Sequence, residues 1–300
     1  MTVKDSCEEF LVYLSSVRGM TDNTITAYSE DYKKLNEFLG EGTEIDKVSL
    51  QDLRFCVGSL SAQKFSVASI NRFIASVRAL FSYSQKFGRL QVNPALQLKS
   101  LKAPKHLPNF MTPSEVDALC EQPQKKELLW ASRDKAIFEA LYSSGCRVAE
   151  LASLKLGDFS NGGKSAVVKG KGKKDRIVYF EADALKALSE YLPERKALLT
   201  RLNLPGQKAL FVNEKGGALT ARGLRWIVER YSGAEGTKRH VSPHAFRHTF
   251  ATAMLSGGAD VRVVQEMLGH ASISTTQRYT HVTTQQLIDI YKRAHPHGEK

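Results

Sequence analysis

Between Leu98 and Asn109 the apolar periodicity of the preceding residues stops, and Pro104 and Pro108 stand among Lys99, Lys102 and Lys105. Proline fixes φ and carries no amide hydrogen, so such a stretch continues neither a helix nor a strand and serves as a stiff spacer. The chain is therefore expected to fold as two bodies, residues 1–98 and residues 110–300, joined by a basic strap at 99–109. Three hundred residues suffice for two cores of this kind.

The first body reads as four helices. Phe10, Leu11, Leu14 and Val17 form one apolar stripe that ends at Gly19, and Ile25, Tyr28, Tyr32, Leu35, Phe38 and Leu39 form a second that ends at Gly40. Ser49 and Asp52 have the spacing of a capping box before a third helix through Leu53 and Leu60. Ile70, Phe73, Ile74, Val77, Leu80 and Phe81 give the cleanest stripe. Aromatic residues at helical spacing belong to a core, which makes this a small four-helix unit.

In the second body, Thr112-Pro113-Ser114-Glu115 opens a helix with a cap, a first-turn proline and an acidic residue. Residues 134–143 read as helix, Gly145-Cys146-Arg147 as a break, and Val148, Leu151 and Leu154 as a further helix. Two short strands follow near 166–169 and 176–180, joined by Gly170-Lys171-Gly172-Lys173-Lys174, and the rest is mainly helical. The expected fold is mainly α, with a small antiparallel sheet in an α+β second domain.

Lys and Arg outnumber Asp and Glu by 43 to 31, a formal charge of +12 that favours a polyanionic partner. A basic strap can lie along a phosphate backbone, which makes Lys99, Lys102 and Lys105 candidate DNA contacts, although a solvated linker has the same composition. No apolar run is long enough to cross a bilayer, and Met1-Thr2-Val3-Lys4-Asp5-Ser6 lacks the apolar core of a signal peptide, so a cytoplasmic protein without membrane insertion is expected. Cys7, Cys56, Cys120 and Cys146 are scattered, which predicts reduced thiols and no Cys zinc site.

Five of the eight histidines fall between His240 and His281. Ser242-Pro243 opens a helix that runs to Gly257-Gly258, with Phe246, Phe250, Ala253 and Met254 read as its core stripe and His244, Arg247 and His248 as its polar side. His244 and His248 have the spacing of zinc ligands in a metalloprotease helix. Ala245 stands where that motif carries its Glu, and Arg247 would repel a dication, so no metal is expected and His248 reads as a structural hydrogen-bonding residue. Asp260 caps a helix in which Val261, Val264, Met267 and Leu268 are expected to pack inward, and Gly269 ends it just before His270. Tyr279 follows Ser274-Thr275-Thr276 and, taken alone, reads as a core or interface residue. Lys171, between two glycines, is either a solvated hairpin tip or a cation able to reach a phosphate; the run lacks the Walker pattern.

Arg147 after Gly145, Lys171 in a short β turn, His244 three before Arg247, His270 after Gly269, and Tyr279 downstream resemble, in order and spacing, the tyrosine recombinase family, most closely its Xer-type members. The likeness covers essentially the whole chain and implies an N-terminal core-binding domain, a linker and a catalytic domain that clamp DNA between them. Cys146 stands where many relatives carry an aliphatic residue, which raises the question of thiol sensitivity. The resemblance implies strand exchange without nucleotide, cofactor or metal. Tyr279 would attack a phosphodiester to leave a 3′-phosphotyrosyl link, with His244 as base, Arg147, Arg247 and His270 on the non-bridging oxygens, and Lys171 as acid for the 5′-oxygen. It further implies a duplex recombination site, a tetrameric synapse with itself or a related recombinase, a septal DNA translocase as partner, and resolution of chromosome or plasmid dimers at cell division. The rival readings are a type IB topoisomerase, a mobile-element integrase, and a helical DNA-binding regulator without catalysis. Leu287, Ile288 and Tyr291 form a terminal stripe that the resemblance assigns to docking on a neighbouring copy, while its periodicity alone allows packing on its own domain.

Overall fold

The computed structural model describes residues 1–102, 110–126, 128–170, 175–232, 241–269, 289–291 and 293–296. Two compact units result, Met1–Lys105 and His106–Lys300. Lys105, Lys171, His270 and Tyr279, with Leu287 and Ile288, lie outside the described residues.

The first unit holds α1 (Val3–Ser16), α2 (Asp22–Leu39), α3 (Leu50–Ala62) and α4 (Val67–Lys86). Local chemistry fixes their ends. Thr2 with Asp5 and Ser49 with Asp52 form reciprocal capping boxes, and Gly40 closes α2 at a φ of 86° that favours glycine. Phe10, Leu14, Tyr32, Leu35, Leu53, Phe73, Val77 and Phe81 fill the core. Val17 does not join the α1 stripe; the helix stops at Ser16 and Val17, its C-cap residue, is exposed. The beginning of the basic strap is anchored on this unit, because Leu98 is buried and Asn71 holds both the amide of Leu101 (2.7 Å) and its carbonyl (2.9 Å). Lys99 and Lys102 on this anchored stretch are exposed.

The second unit begins with α5 (Pro113–Lys125), capped by the box between Thr112 and Glu115. α6 (Ala131–Ser144) forms its centre, with Ile137, Phe138, Leu141 and Tyr142 buried against α5, α8 (Ala182–Arg201) and α10 (Pro243–Ser256). Gly145 ends α6 at a φ of 56°, and a Cβ there would collide with the ring of Phe250, so both conformation and space require glycine. α7 (Val148–Ser153), α9 (Ala221–Tyr231) and α11 (Val261–Leu268) complete the described helices. None of them is long and apolar enough to cross a membrane.

The sheet is antiparallel, in the order β1 (Phe159–Ser160), β2 (Ser165–Lys169), β3 (Asp175–Tyr179). Register places Ala166 opposite Val178 and Lys169 opposite Asp175. The two-residue β1 was not expected, being too short to show alternation. In α11 the inward side is Val263, Val264, Met267 and Leu268; Val261, at the first position, is 55% exposed.

Residues near the C-terminus plug the same unit. Tyr291 is buried among Phe250, Met254 and Met267, with its hydroxyl donating to the carbonyl of Ser143 at 2.8 Å and lying 3.0 Å from the Ser143 hydroxyl. A Cβ on Gly257 would strike the backbone of Ala294, so the plug seats closely on the end of α10. In this single chain Tyr291 packs on its own domain, the arrangement that its periodicity allows, while Leu287 and Ile288 of the same stripe lie outside the described residues. Tyr291→Ala is expected to cost about 3–5 kcal/mol in the unfolding of the full chain, and Tyr291→Phe about 1 kcal/mol. Unchanged melting of the alanine variant would remove the plug from the core.

Candidate active site

The αL turn at Gly145 sends the chain into α7 with Arg147 at its N-cap. Its backbone N–H donates to Glu150 Oε2 (2.7 Å), and its guanidinium donates through Nη1 to Glu150 Oε1 (2.8 Å) and through Nη2 to the carbonyl of Gly269 (3.2 Å). The side chain stays one-third exposed. On α10, Arg247 is buried, with Nη1 donating to the carbonyl of Gly145 (2.9 Å) and Nη2 to that of Leu268. On β3, Arg176 donates through Nε to the carbonyl of Met267 (2.8 Å) and spans Glu150 with Nη1 (2.7 Å) and Nη2 (2.9 Å).

Three arginines from three elements thus converge on the end of α11, and each takes one of its consecutive carbonyls, Met267, Leu268 and Gly269. A helix C-terminus carries unpaired carbonyls and a partial negative charge, so cations there are favoured. The charge balance remains cationic. Burial, then the Arg147 and Arg176 cations, pull Arg247 down to about 10. Burial alone would raise Glu150, but the hydrogen bonds of Arg176 and of the Arg147 amide outweigh it and hold the carboxyl below its usual range. His244 is exposed on the first turn of α10; partial desolvation, then His248, Arg247, Arg225 and Arg147, push its imidazole below the ordinary value.

The structure brings Arg147 and Arg247 together. It corrects the placement of Arg247 on the polar side of α10, because at about 100° per residue that position lies only about 20° from Met254, inside the apolar arc. His248 is exposed and its imidazole makes no hydrogen bond among the described residues, so the structural role read for it is not seen there. Lys171 and His270 fall just outside the described ends, the first two residues after Lys169 of β2, the second directly after Gly269. Glu150 and Arg176 were missed. Glu150 does carry a signal, since it stands at the N3 position of α7 where a carboxylate returns to the N-cap amide. Cys146 is buried, and burial raises its thiol to about 11, so it stays protonated and is a poor target for oxidation. Among the described residues no group of three or more His, Cys, Asp and Glu could hold a metal ion.

Residues 109–286 match the phage integrase family, and residues 7–86 match the phage integrase N-terminal SAM-like domain. The chain belongs to the phage integrase family. Tyrosine recombinase XerC of Treponema denticola is 42% identical over 300 residues, covering 97% of this chain and 98% of that protein. The Tn1549 transposon integrase in complex with circular intermediate DNA shares the fold at a TM-score of 0.74, with 20% identity and coverage of 96% of this chain and 98% of that one. A lambda integrase tetramer bound to a Holliday junction gives 0.69 and 16% identity, over 91% of this chain and 76% of that one. As a member of this family the protein is a site-specific tyrosine recombinase, an enzyme that cuts and rejoins DNA through a covalent phosphotyrosine link. The arginine cluster fits that chemistry, because planar, fixed-charge donors suit the non-bridging oxygens of a phosphodiester.

Proposed function

We propose that this recombinase resolves chromosome or plasmid dimers at cell division, acting in the cytoplasm on a duplex recombination site within a tetrameric synapse of itself or a related recombinase. The observation that carries this reading is the near full-length likeness to a tyrosine recombinase XerC. The tetramer is supported by the shared fold with the integrase solved on a Holliday junction. A septal DNA translocase as a further partner is an expectation of the family likeness alone.

In the proposed chemistry the Tyr279 phenol attacks the scissile phosphorus, and His244 takes its proton. Arg147 and Arg247, with His270, hold the non-bridging oxygens as charge builds on them. Lys171 protonates the departing 5′-oxygen, and the partner strand's 5′-hydroxyl reverses the steps. The exposed Lys99 and Lys102, with Lys105, follow a phosphate backbone of the bound duplex.

A cell lacking this protein is expected to accumulate plasmid and chromosome dimers, cured by the wild-type gene and not by a Tyr279→Phe copy. An unchanged dimer fraction would sink the dimer-resolution reading, and excision of a mobile element in the same cells would support the integrase reading instead.

The base assignment has its own pH signature. His244 must be neutral to accept a proton, and its surroundings lower its affinity for one. Single-turnover cleavage is therefore expected to hold through neutral pH and to fall only as pH drops below about 6.5, the ordinary histidine value. His244→Gln should be slow throughout and should lack that limb. A limb that survives in the variant belongs to another group.

A further inference from the structure

We propose that Arg176 is a positioning residue for strand cleavage: it fixes the Glu150 carboxylate and the end of α11 in one arrangement and so sets the angle at which Arg147 meets the scissile phosphate. The inference rests on the reading of Arg147 as a phosphate ligand.

Donor use separates the two arginines. Arg176 commits Nε, Nη1 and Nη2 to protein acceptors on α7 and α11, and its side chain is only 11% exposed. Arg147 shares the same carboxylate but is 34% exposed, with N–H groups left over for a ligand. One arginine faces the protein and the other the open side. Glu150 links them, since each of its oxygens accepts from Arg176, while Oε1 also takes the Arg147 guanidinium and Oε2 the Arg147 amide.

Without Arg176, Arg147 is the remaining charged hydrogen-bond partner of Glu150 among the described residues. The carboxylate is then free to turn toward Arg147 and engage the donors meant for phosphate. The carbonyl of Met267 loses its partner at the same time. The stem of Arg176 also supports the αL turn that ends α11: a Cβ built on Gly269 would lie 3.1 Å from Arg176 Cδ. That turn leads directly into His270. A β-strand side chain thus ties the first arginine of the cluster to the start of the segment that carries the nucleophile.

The test uses full-length wild type, Arg176→Ala, Arg176→Lys and Arg147→Ala on nicked DNA with either a natural phosphodiester or a methylphosphonate at the scissile position. The methyl group removes the charge that the clamp must hold. Arg176→Ala is expected to bind DNA as wild type does and to cleave the diester roughly 100-fold more slowly, the scale of a displaced reacting group. On the methylphosphonate the deficit should shrink to roughly tenfold or less, because an uncharged centre asks less of the clamp. Arg176→Lys should recover only part of the rate, since an ammonium cannot span a carboxylate and a carbonyl together. If melting shows that the alanine variant does not fold, the lysine variant, which keeps stem and charge, is read in its place and must show the same contrast between substrates. Equal deficits on the two substrates, with the Arg147→Ala deficit shrinking on the methylphosphonate, would overturn the role of Arg176 and leave the clamp standing. An Arg147→Ala deficit that fails to shrink would bring down the clamp reading and this inference with it.

Discussion

Replacing Tyr279 by phenylalanine is expected to abolish the covalent protein–DNA adduct while leaving DNA affinity unchanged. The substitution removes one oxygen and keeps the ring, so a phosphate-contacting surface survives and the nucleophile does not. A loss of roughly 10⁵-fold or more, beyond detection on a gel, is the scale expected when a covalent nucleophile is removed. Nicked substrate traps the adduct, because the strand that would reverse the reaction diffuses away; a denaturing gel then shows a slowly migrating protein–DNA species for wild type alone. An adduct formed by Tyr279→Phe would move the nucleophile elsewhere and reopen the question of which residue follows the cluster.

The second large effect is expected at Arg147. Arg147→Lys keeps the charge, yet the native guanidinium already donates to Glu150 and to the carbonyl of Gly269 while presenting its outer edge to the open side. An ammonium has three donors around a single point and cannot serve a carboxylate, a carbonyl and two phosphate oxygens together. Cleavage should fall roughly 10²–10³-fold, as when a preorganised donor to a developing oxyanion is lost. Binding to uncleaved DNA should change little, because one point charge replaces another. Wild-type cleavage by the lysine variant would show that charge alone is needed, and the bidentate clamp would fail.

Much of the scaffold was legible because local chemistry fixes it. Ser49 with Asp52, Thr112 with Glu115, Asp260 and the glycines at 40, 145 and 269 sit where the helices begin or end, each through a bond or a backbone angle that neighbouring residues decide. The arginine cluster was only half legible. Arg147 and Arg247 were singled out through the family resemblance, but the burial of Arg247 follows from the angular position of one residue beside Met254, which a division into two faces overlooks. Arg176 gave no signal, because a charged residue at a strand position reads as solvent-facing. Its role depends on α11, about ninety residues later in sequence, arriving above the sheet, and no local pattern encodes that. Tyr291 illustrates the same limit: its place in an apolar stripe shows that it will be covered, and only the fold shows that Phe250, Met254 and Met267 cover it.

The convergence of three guanidiniums on the end of α11, with the Glu150 carboxylate bonded to two of them, also bears on how stable the second unit can be. Arg247, whose surroundings resist its charge, stays protonated at neutral pH all the same, so folding must bring mutually repelling cations together and hold them there. Carbonyl dipoles at the end of α11 offset part of this work and cannot cancel a full charge. The unit therefore carries an electrostatic debt in the empty state that an anion seated among these groups would settle. By linkage, an anion that binds there only in the folded state stabilises the fold by an amount that grows with its concentration relative to its dissociation constant. Rigidity in this protein is thus expected to be a property of the complex more than of the free chain, greatest when the catalytic groups are occupied and lowest when the enzyme is searching.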